Sequence, residues 1–149
     1  GIFTFQPWLL LGWVVGFVSF FGFIEIRVLC SHCPHYAEPG SRTLRCWANY
    51  GSPRLWKYRP GPMSLGEKTI FFLGVAVIIG FPLVSFLLNP VRINVLALIL
   101  YAALISIGSL LLKKHYCSIC INFACPLNSV DTEVRKVFLE KNTRMKDGR

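Results

Sequence analysis

The chain has 149 residues, of which 54% are hydrophobic, 14% are aromatic and only 15% are charged. A purely water-soluble domain is excluded, because three uncharged apolar runs of roughly 17 to 20 residues are each long enough to cross a bilayer. Sixteen Lys and Arg against seven Asp and Glu give a formal net charge of +9. In a membrane chain this excess indicates orientation and contact with anionic lipid headgroups rather than with nucleic acid.

The first apolar run, residues 8–29, predicts transmembrane helix one. Its uncharged part from Trp8 to Ile24 can cross a hydrocarbon core of about 30 Å at about 1.5 Å per residue. A secretory signal peptide is the alternative, but no basic stretch precedes the run and no small-x-small cleavage site follows it. We therefore expect the helix to remain in the mature protein, with residues 1–7 as a short extracytoplasmic N-terminal stub.

The second and third runs, residues 69–88 and 93–112, predict a helical hairpin with a tight turn at residues 89–92. Pro90 in this turn is a stop signal, because proline disfavours helix in the residue before it and lacks a backbone donor. Pro82 lies inside the second run. There we expect a kink without termination, since neighbouring helices can satisfy the carbonyl that proline leaves free.

The two polar segments, residues 30–68 and 113–149, together form what we name the cap. Three crossings place both segments on one side of the membrane, and all 16 Lys and Arg except Arg92 lie in the cap or at its edge. The positive-inside rule makes that side cytoplasmic. We therefore expect a multi-pass protein of the cytoplasmic (inner) membrane, with its N-terminus outside and its C-terminus in the cytosol.

The predicted fold class is thus an all-α integral membrane protein, with three transmembrane helices and an irregular, cysteine-rich cytosolic cap. Residues 30–68 are rich in proline and glycine, which predicts irregular backbone in this part of the cap. In the tail, apolar residues at helical spacing predict one short amphipathic helix over 130–142, with Ser129 or Asp131 as its N-cap.

Six cysteines are the main chemical signal, and none of them lies inside an apolar run. They form Cys-x2-Cys-x12-Cys in the first polar segment and Cys-x2-Cys-x4-Cys in the tail: Cys30, Cys33, Cys46, Cys117, Cys120 and Cys125. A cytosolic setting keeps thiols reduced, so metal ligation or redox chemistry is favoured over three disulfides. Two Cys-x2-Cys turns supply the four thiolates that either a zinc ion or a cubane iron–sulfur cluster requires. The spacing leaves zinc and cluster both open.

The ligands can be divided in two ways. In the first, one shared site uses the two Cys-x2-Cys pairs, with Cys46 and Cys125 as spare or substitute ligands. In the second, two sites each combine three cysteines with one histidine. The histidines available for this role are His32, His35 and His115. We favour the single site, because one metal would clamp the loop to the tail; unligated packing and lipid-modified thiols are the alternatives.

Gly12 and Gly16 form a Gly-x3-Gly pattern in the first run. The pattern is typical of close helix packing in membranes. Two roles for the pattern are left as alternatives: packing against another helix of this chain, and forming a groove for the helix of another subunit.

The chain has no glycine-rich phosphate loop and no Ser-His-Asp order in a suitable context, so catalysis by the protein alone is not expected. We predict a small accessory or structural subunit of a larger membrane complex of the redox type, with a metal site that clamps the cap. Its partners would be other membrane subunits and a soluble cytosolic subunit. The alternatives are an iron–sulfur electron-transfer subunit at the membrane surface and a heavy-metal or thiol-relay membrane protein. Small mercuric-ion transporters are loosely similar in their three spans and paired cysteines, but their pattern includes a pair inside a span.

Overall fold

The computed structural model describes residues 7–38, 40–87 and 92–142, which form helices and irregular loops without a β-strand. Three helices in this part of the chain are long and apolar enough to cross a membrane. The predicted all-α class with three spans is therefore confirmed. The predicted N-terminal stub lies outside the described residues except for Pro7, and the predicted tight turn lies outside them except for Arg92.

Helix α1 has three consecutive parts. It is α-helical over Pro7–Ser19, π-helical over Phe20–Ile24 and α-helical again over Glu25–Val28. A 3-10 turn at Cys30–His32 follows directly, so the end of the first span leads into the first cysteine pair.

Helix α2 spans Leu65–Leu87 and begins earlier than the apolar run suggests. The cause is a capping box: the Glu67 carboxylate accepts from the N–H of Ser64 at 2.9 Å, and the Ser64 hydroxyl accepts from the N–H of Glu67 at 3.3 Å. Helix α3 spans Arg92–Leu111 and continues as a π-helical segment over Leu112–Tyr116.

Helix α4, Thr132–Lys141, is the short helix predicted in the tail. Of the two candidate caps it uses Asp131, whose carboxylate accepts from the N–H of Glu133 at 2.8 Å. The ring of Phe138 on this helix meets the ring of Phe123 edge-on, with 5.5 Å between ring centroids. This contact packs α4 against the cysteine segment that precedes it.

Two hydrogen bonds around Pro82 join the three spans. Proline has no N–H, so the carbonyl of Ile78, four residues earlier, loses its helical partner. Nε1 of Trp13 in α1 donates to this carbonyl at 3.0 Å, and the hydroxyl of Tyr101 in α3 donates to the adjacent carbonyl of Ile79 at 3.2 Å. Helix α2 continues through Pro82, and a neighbouring helix satisfies the freed carbonyl, as the sequence predicts.

Gly74, rather than the Gly-x3-Gly pattern, provides a close approach between α1 and α2. A Cβ added at Gly74 would lie 1.9 Å from Cε2 of Phe20, whereas one added at Gly12 or Gly16 would meet no heavy atom of the described chain within 4 Å. Close packing at Gly12 and Gly16 within the described chain is therefore not observed. Their role as a groove for another subunit's helix stays a prediction.

The buried side chains concentrate where α1 meets the cap. Ile26 in α1 and Leu44 in the loop are each 1% exposed, and Tyr36 packs with them. The loop is irregular, as predicted, yet it is ordered around Leu44, whose N–H donates to the carbonyl of Ser52 and whose carbonyl accepts from the N–H of Gly51. A positive φ of 83° at this glycine closes the turn.

We expect the Trp13→Phe substitution to destabilise the helix assembly by about 1 kcal/mol, because it leaves the Ile78 carbonyl without its donor in the membrane. In a Pro82→Ala background the cost should shrink, since the N–H of the new alanine supplies that donor. The measurement is a double-mutant cycle of reversible unfolding in mixed detergent micelles. Trp8→Phe is the matched control, because Trp8 is 75% exposed. An equal cost in both backgrounds would contradict the assignment.

Candidate metal centre

The first cysteine pair lies in a tight turn at the end of α1. The N–H of Cys33 donates to the carbonyl of Cys30 at 2.9 Å. Both cysteines are buried, with 6% of each exposed. The turn therefore holds two thiols inside the cap rather than at its surface.

The tail brings its cysteines onto the same end of α1. The π-helical segment Leu112–Tyr116 leads directly into Cys117, whose N–H donates to the carbonyl of Leu112 at 2.9 Å. Farther along, the buried amide of Asn122 donates to the carbonyl of Leu29 in α1 at 3.3 Å. The ring of Trp47 in the loop also stacks on Tyr116, with 4.2 Å between centroids. These contacts bring loop and tail together.

Five of the six cysteines line one cavity of about 200 Å³ between loop and tail. They are Cys30, Cys33, Cys46, Cys120 and Cys125. Glu25, His35, Asn49 and Asn122 also line the cavity, and the rest of its wall is largely apolar. Cys117 does not line the cavity, although its thiol interacts electrostatically with that of Cys120.

The cysteines that line the cavity differ from the ligands of the single metal site that the sequence spacing favours. The single-site division paired Cys117 with the other Cys-x2-Cys residues and treated Cys46 and Cys125 as spare. The structure instead places Cys46 and Cys125 at the cavity and leaves Cys117 outside it. The predicted meeting of loop and tail cysteines is observed, with a different membership.

The two Cys-Pro steps form similar turns around their sulfurs. The backbone N–H of His35 beside Cys33 and that of Leu127 beside Cys125 each lower the pKa of the neighbouring thiol. In each turn the donor lies two residues after the cysteine. The likeness between the two cysteine segments in sequence is therefore also a likeness in local geometry.

Asn49 donates to two further sulfurs. Its backbone N–H lies 3.3 Å from Sγ of Cys46, and its side-chain Nδ2 lies 3.3 Å from Sγ of Cys30. Two of the five cavity cysteines thus have an N–H donor at hydrogen-bond distance from sulfur, and backbone amides lower the pKa of two more. Such donors stabilise an anionic sulfur more than a neutral thiol, so the arrangement suits thiolate ligands.

Burial opposes ionisation of these thiols when they carry protons. Burial raises the pKa of the Cys33 thiol to about 12 and that of Cys125 to about 11, and neighbouring thiols raise both while N–H donors partly offset the effect. A cation in the cavity would replace the protons and satisfy the sulfurs, so binding of metal would release protons. The chemistry of the donors, considered apart from their spacing, thus suits a thiophilic metal.

The sulfurs surround the cavity without converging on one point. No group of three or more His, Cys, Asp or Glu residues in the described ranges is arranged to hold a single metal ion. The cysteines in the cavity wall are suited to bind a metal as thiolates. Because these cysteines do not converge on one point, the space between them stays open.

The three candidate histidines differ in position. His35 lines the cavity. His32 is engaged elsewhere: Nδ1 lies 3.2 Å from the Gly61 carbonyl, and Nε2 lies 3.4 Å from the Glu67 carboxylate, within ion-pair range but outside hydrogen-bond geometry. His115 is exposed on the π-helical segment and does not line the cavity. Among these three histidines, only His35 lines the cavity.

Sequence reasoning missed a polar network that holds the first cysteine turn. The Arg59 guanidinium pairs with the Glu67 carboxylate at 2.5 Å, and it donates to the Ser31 hydroxyl at 3.0 Å and to the Arg27 carbonyl at 2.8 Å. The N–H of Arg59 also donates to the Ser31 carbonyl at 2.8 Å. Because Ser31 lies between Cys30 and Cys33, the network fixes their turn against α2. The Ser-x-x-Glu capping box was the sequence signal for Glu67.

Comparisons of this chain with protein-family models, with curated proteins and with solved structures find no match. The assignment of a function therefore depends on the residues and geometry described above.

Proposed function

We propose that the protein is a small accessory subunit of a larger membrane complex, with a cysteine-ligated metal centre that clamps its cap. The observation that carries the proposal is the cavity where cysteines of the loop and of the tail meet. Zinc and iron–sulfur clusters are the cofactors that thiolates of this kind hold.

Metal ligation accounts for the thiols better than lipid modification does. Cys30 and Cys33 are each only 6% exposed, and an acyl chain on either would have to displace the packed end of α1. The side-chain Nδ2 of Asn49 also lies 3.3 Å from the Cys30 sulfur. Ordinary packing of neutral thiols does not require such donors, whereas metal-bound thiolates commonly use them.

A metal here would act as a cross-link between distant parts of the chain. The cap has little regular structure and a small buried core around Ile26 and Leu44. Segments of this kind depend on staples such as metals, because their core alone supplies little stability. The metal would therefore hold the tail on the loop.

The subunit role is supported by what the spans expose. In the most apolar stretch of the third span, no residue is buried within the described chain. The face of α1 that carries Gly12 and Gly16 also has open space beside it. A membrane partner would use these surfaces. The positive-inside rule places the cap in the cytoplasm, where a soluble subunit and anionic headgroups could meet it.

We expect removal of the metal to open the cap while the spans stay folded. Cleavage by trypsin after Arg54 reports this opening, because the Arg54 guanidinium donates to the carbonyls of Tyr36 and Glu38 at 2.7 and 2.6 Å. A strong chelator should speed this cleavage about tenfold or more, and added metal should reverse the effect. Unchanged cleavage after complete metal removal would contradict the clamp.

The complex itself needs a separate test. Gentle extraction from the membranes in which the chain is naturally made should copurify at least one other membrane chain. Isolation as a stable monomer at native expression, with no copurifying chain, would contradict the subunit role and leave the clamp intact.

A further inference from the structure

The volume between the sulfurs exceeds what one ion requires. Four thiolates around zinc at about 2.3 Å stand only about 3.8 Å from one another, so no open space remains between them. In the described residues no three donors converge in this way, and the sulfurs border a cavity of about 200 Å³. Since water occupies about 30 Å³ in the liquid, the cavity has room for a group of several heavy atoms.

The walls suit an anionic core that avoids water. Apolar side chains make up much of the lining: Leu29, Leu44, Trp47, Ile119 and Ile121. The backbone N–H and the side-chain Nδ2 of Asn49 each lie 3.3 Å from a sulfur of this lining, on Cys46 and Cys30. Burial and hydrogen bonds to sulfur are the two features by which proteins stabilise iron–sulfur clusters and set their potentials.

We infer that the cavity holds a cubane iron–sulfur cluster rather than a single zinc ion. This inference rests on the proposed function and names the chemical class of its metal centre. Four of the five lining cysteines are its ligands: Cys30 and Cys46, whose sulfurs accept from Asn49, and Cys33 and Cys125, which stand in the two Cys-Pro turns. Cys120 is a fifth thiol at the wall, and Cys117 is outside the cluster's reach.

The test is elemental analysis of the full chain, extracted without oxygen from the membranes in which it is naturally made. We expect about four iron and four acid-labile sulfide per chain and absorption between about 380 and 450 nm, from charge transfer between sulfur and iron. Zinc alone, without iron or sulfide, would overturn the cluster and leave the metal clamp standing. Absence of any stoichiometric metal would overturn both.

A second measurement uses Asn49→Asp, which keeps the shape of the side chain and its backbone N–H but replaces the amide donor near Cys30 with an anionic oxygen. Loss of the amide donor and gain of an anionic oxygen both make it harder to add an electron to the cluster. The reduction potential of the cluster should therefore fall while the iron content stays the same. Asn142→Asp is the matched control, because the Asn142 amide donates to the Phe138 carbonyl at 2.9 Å and Asn142 does not line the cavity. An unchanged potential in Asn49→Asp would overturn the placement of the cluster beside Asn49.

Discussion

The Cys33→Ser variant should lose its bound metal, whereas Cys117→Ser should keep it. Cys33 is buried at the cavity, and its sulfur interacts with those of Cys46, Cys120 and Cys125. Cys117 belongs to the other Cys-x2-Cys pair but lies outside the cavity. Because even residues around a metal's ligands change its affinity by about 10–100-fold, loss of a ligand should lower the metal per chain at least tenfold. Elemental analysis of the monodisperse fraction measures this.

The same experiment distinguishes two ligand sets: the cysteines that line the cavity and the two Cys-x2-Cys pairs that the spacing alone favours. If the two Cys-x2-Cys pairs held the metal by themselves, Cys117→Ser would empty the site and Cys46→Ser would not. The cavity predicts the reverse order for these two variants. Both replacements are at positions that are not fully buried, so the comparison is informative even if Cys33→Ser folds poorly.

The fold was largely predictable because the bilayer imposes simple constraints. Long apolar runs give spans, and the lack of an N–H at Pro82 requires a donor from elsewhere. The sequence could indicate that need but not that Trp13 would meet it. A residue on one helix reaches a carbonyl on another only after the helices have packed, and that packing depends on contacts such as Phe20 against Gly74.

The membership of the cysteine cavity was not predictable for the same reason. Spacing shows which cysteines are close along the chain, but it does not show which way a turn faces. Here the π-helical segment before Cys117 and the Asn122 bond to the Leu29 carbonyl set the orientation of the tail. The roles of His32 and Arg59 likewise depend on how the start of α2 packs beside the first cysteine turn, which lies far from α2 in sequence.

The Arg59→Met variant should release its metal about 10–100-fold faster to a chelator, as expected when an outer partner of a metal site is removed. Arg59 links the Glu67 carboxylate to Ser31, inside the turn that carries Cys30 and Cys33. Arg59→Lys should not restore retention, because one ammonium group cannot reproduce the planar fork that reaches the carboxylate, the hydroxyl and a carbonyl together. The half-time of metal loss measures the effect.

Arg45→Met is the matched control for this variant. Arg45 pairs with Glu38 at 3.4 Å, but both side chains are considerably exposed, at 64% and 37%, and exposed pairs contribute little. Metal retention should therefore be unchanged in Arg45→Met. Equal half-times in Arg59→Met and the wild type would show that the turn keeps its geometry without α2. A faster loss in Arg59→Met alone would mean that the start of the second span is part of what holds the metal, which links the centre to the arrangement of the helices in the membrane.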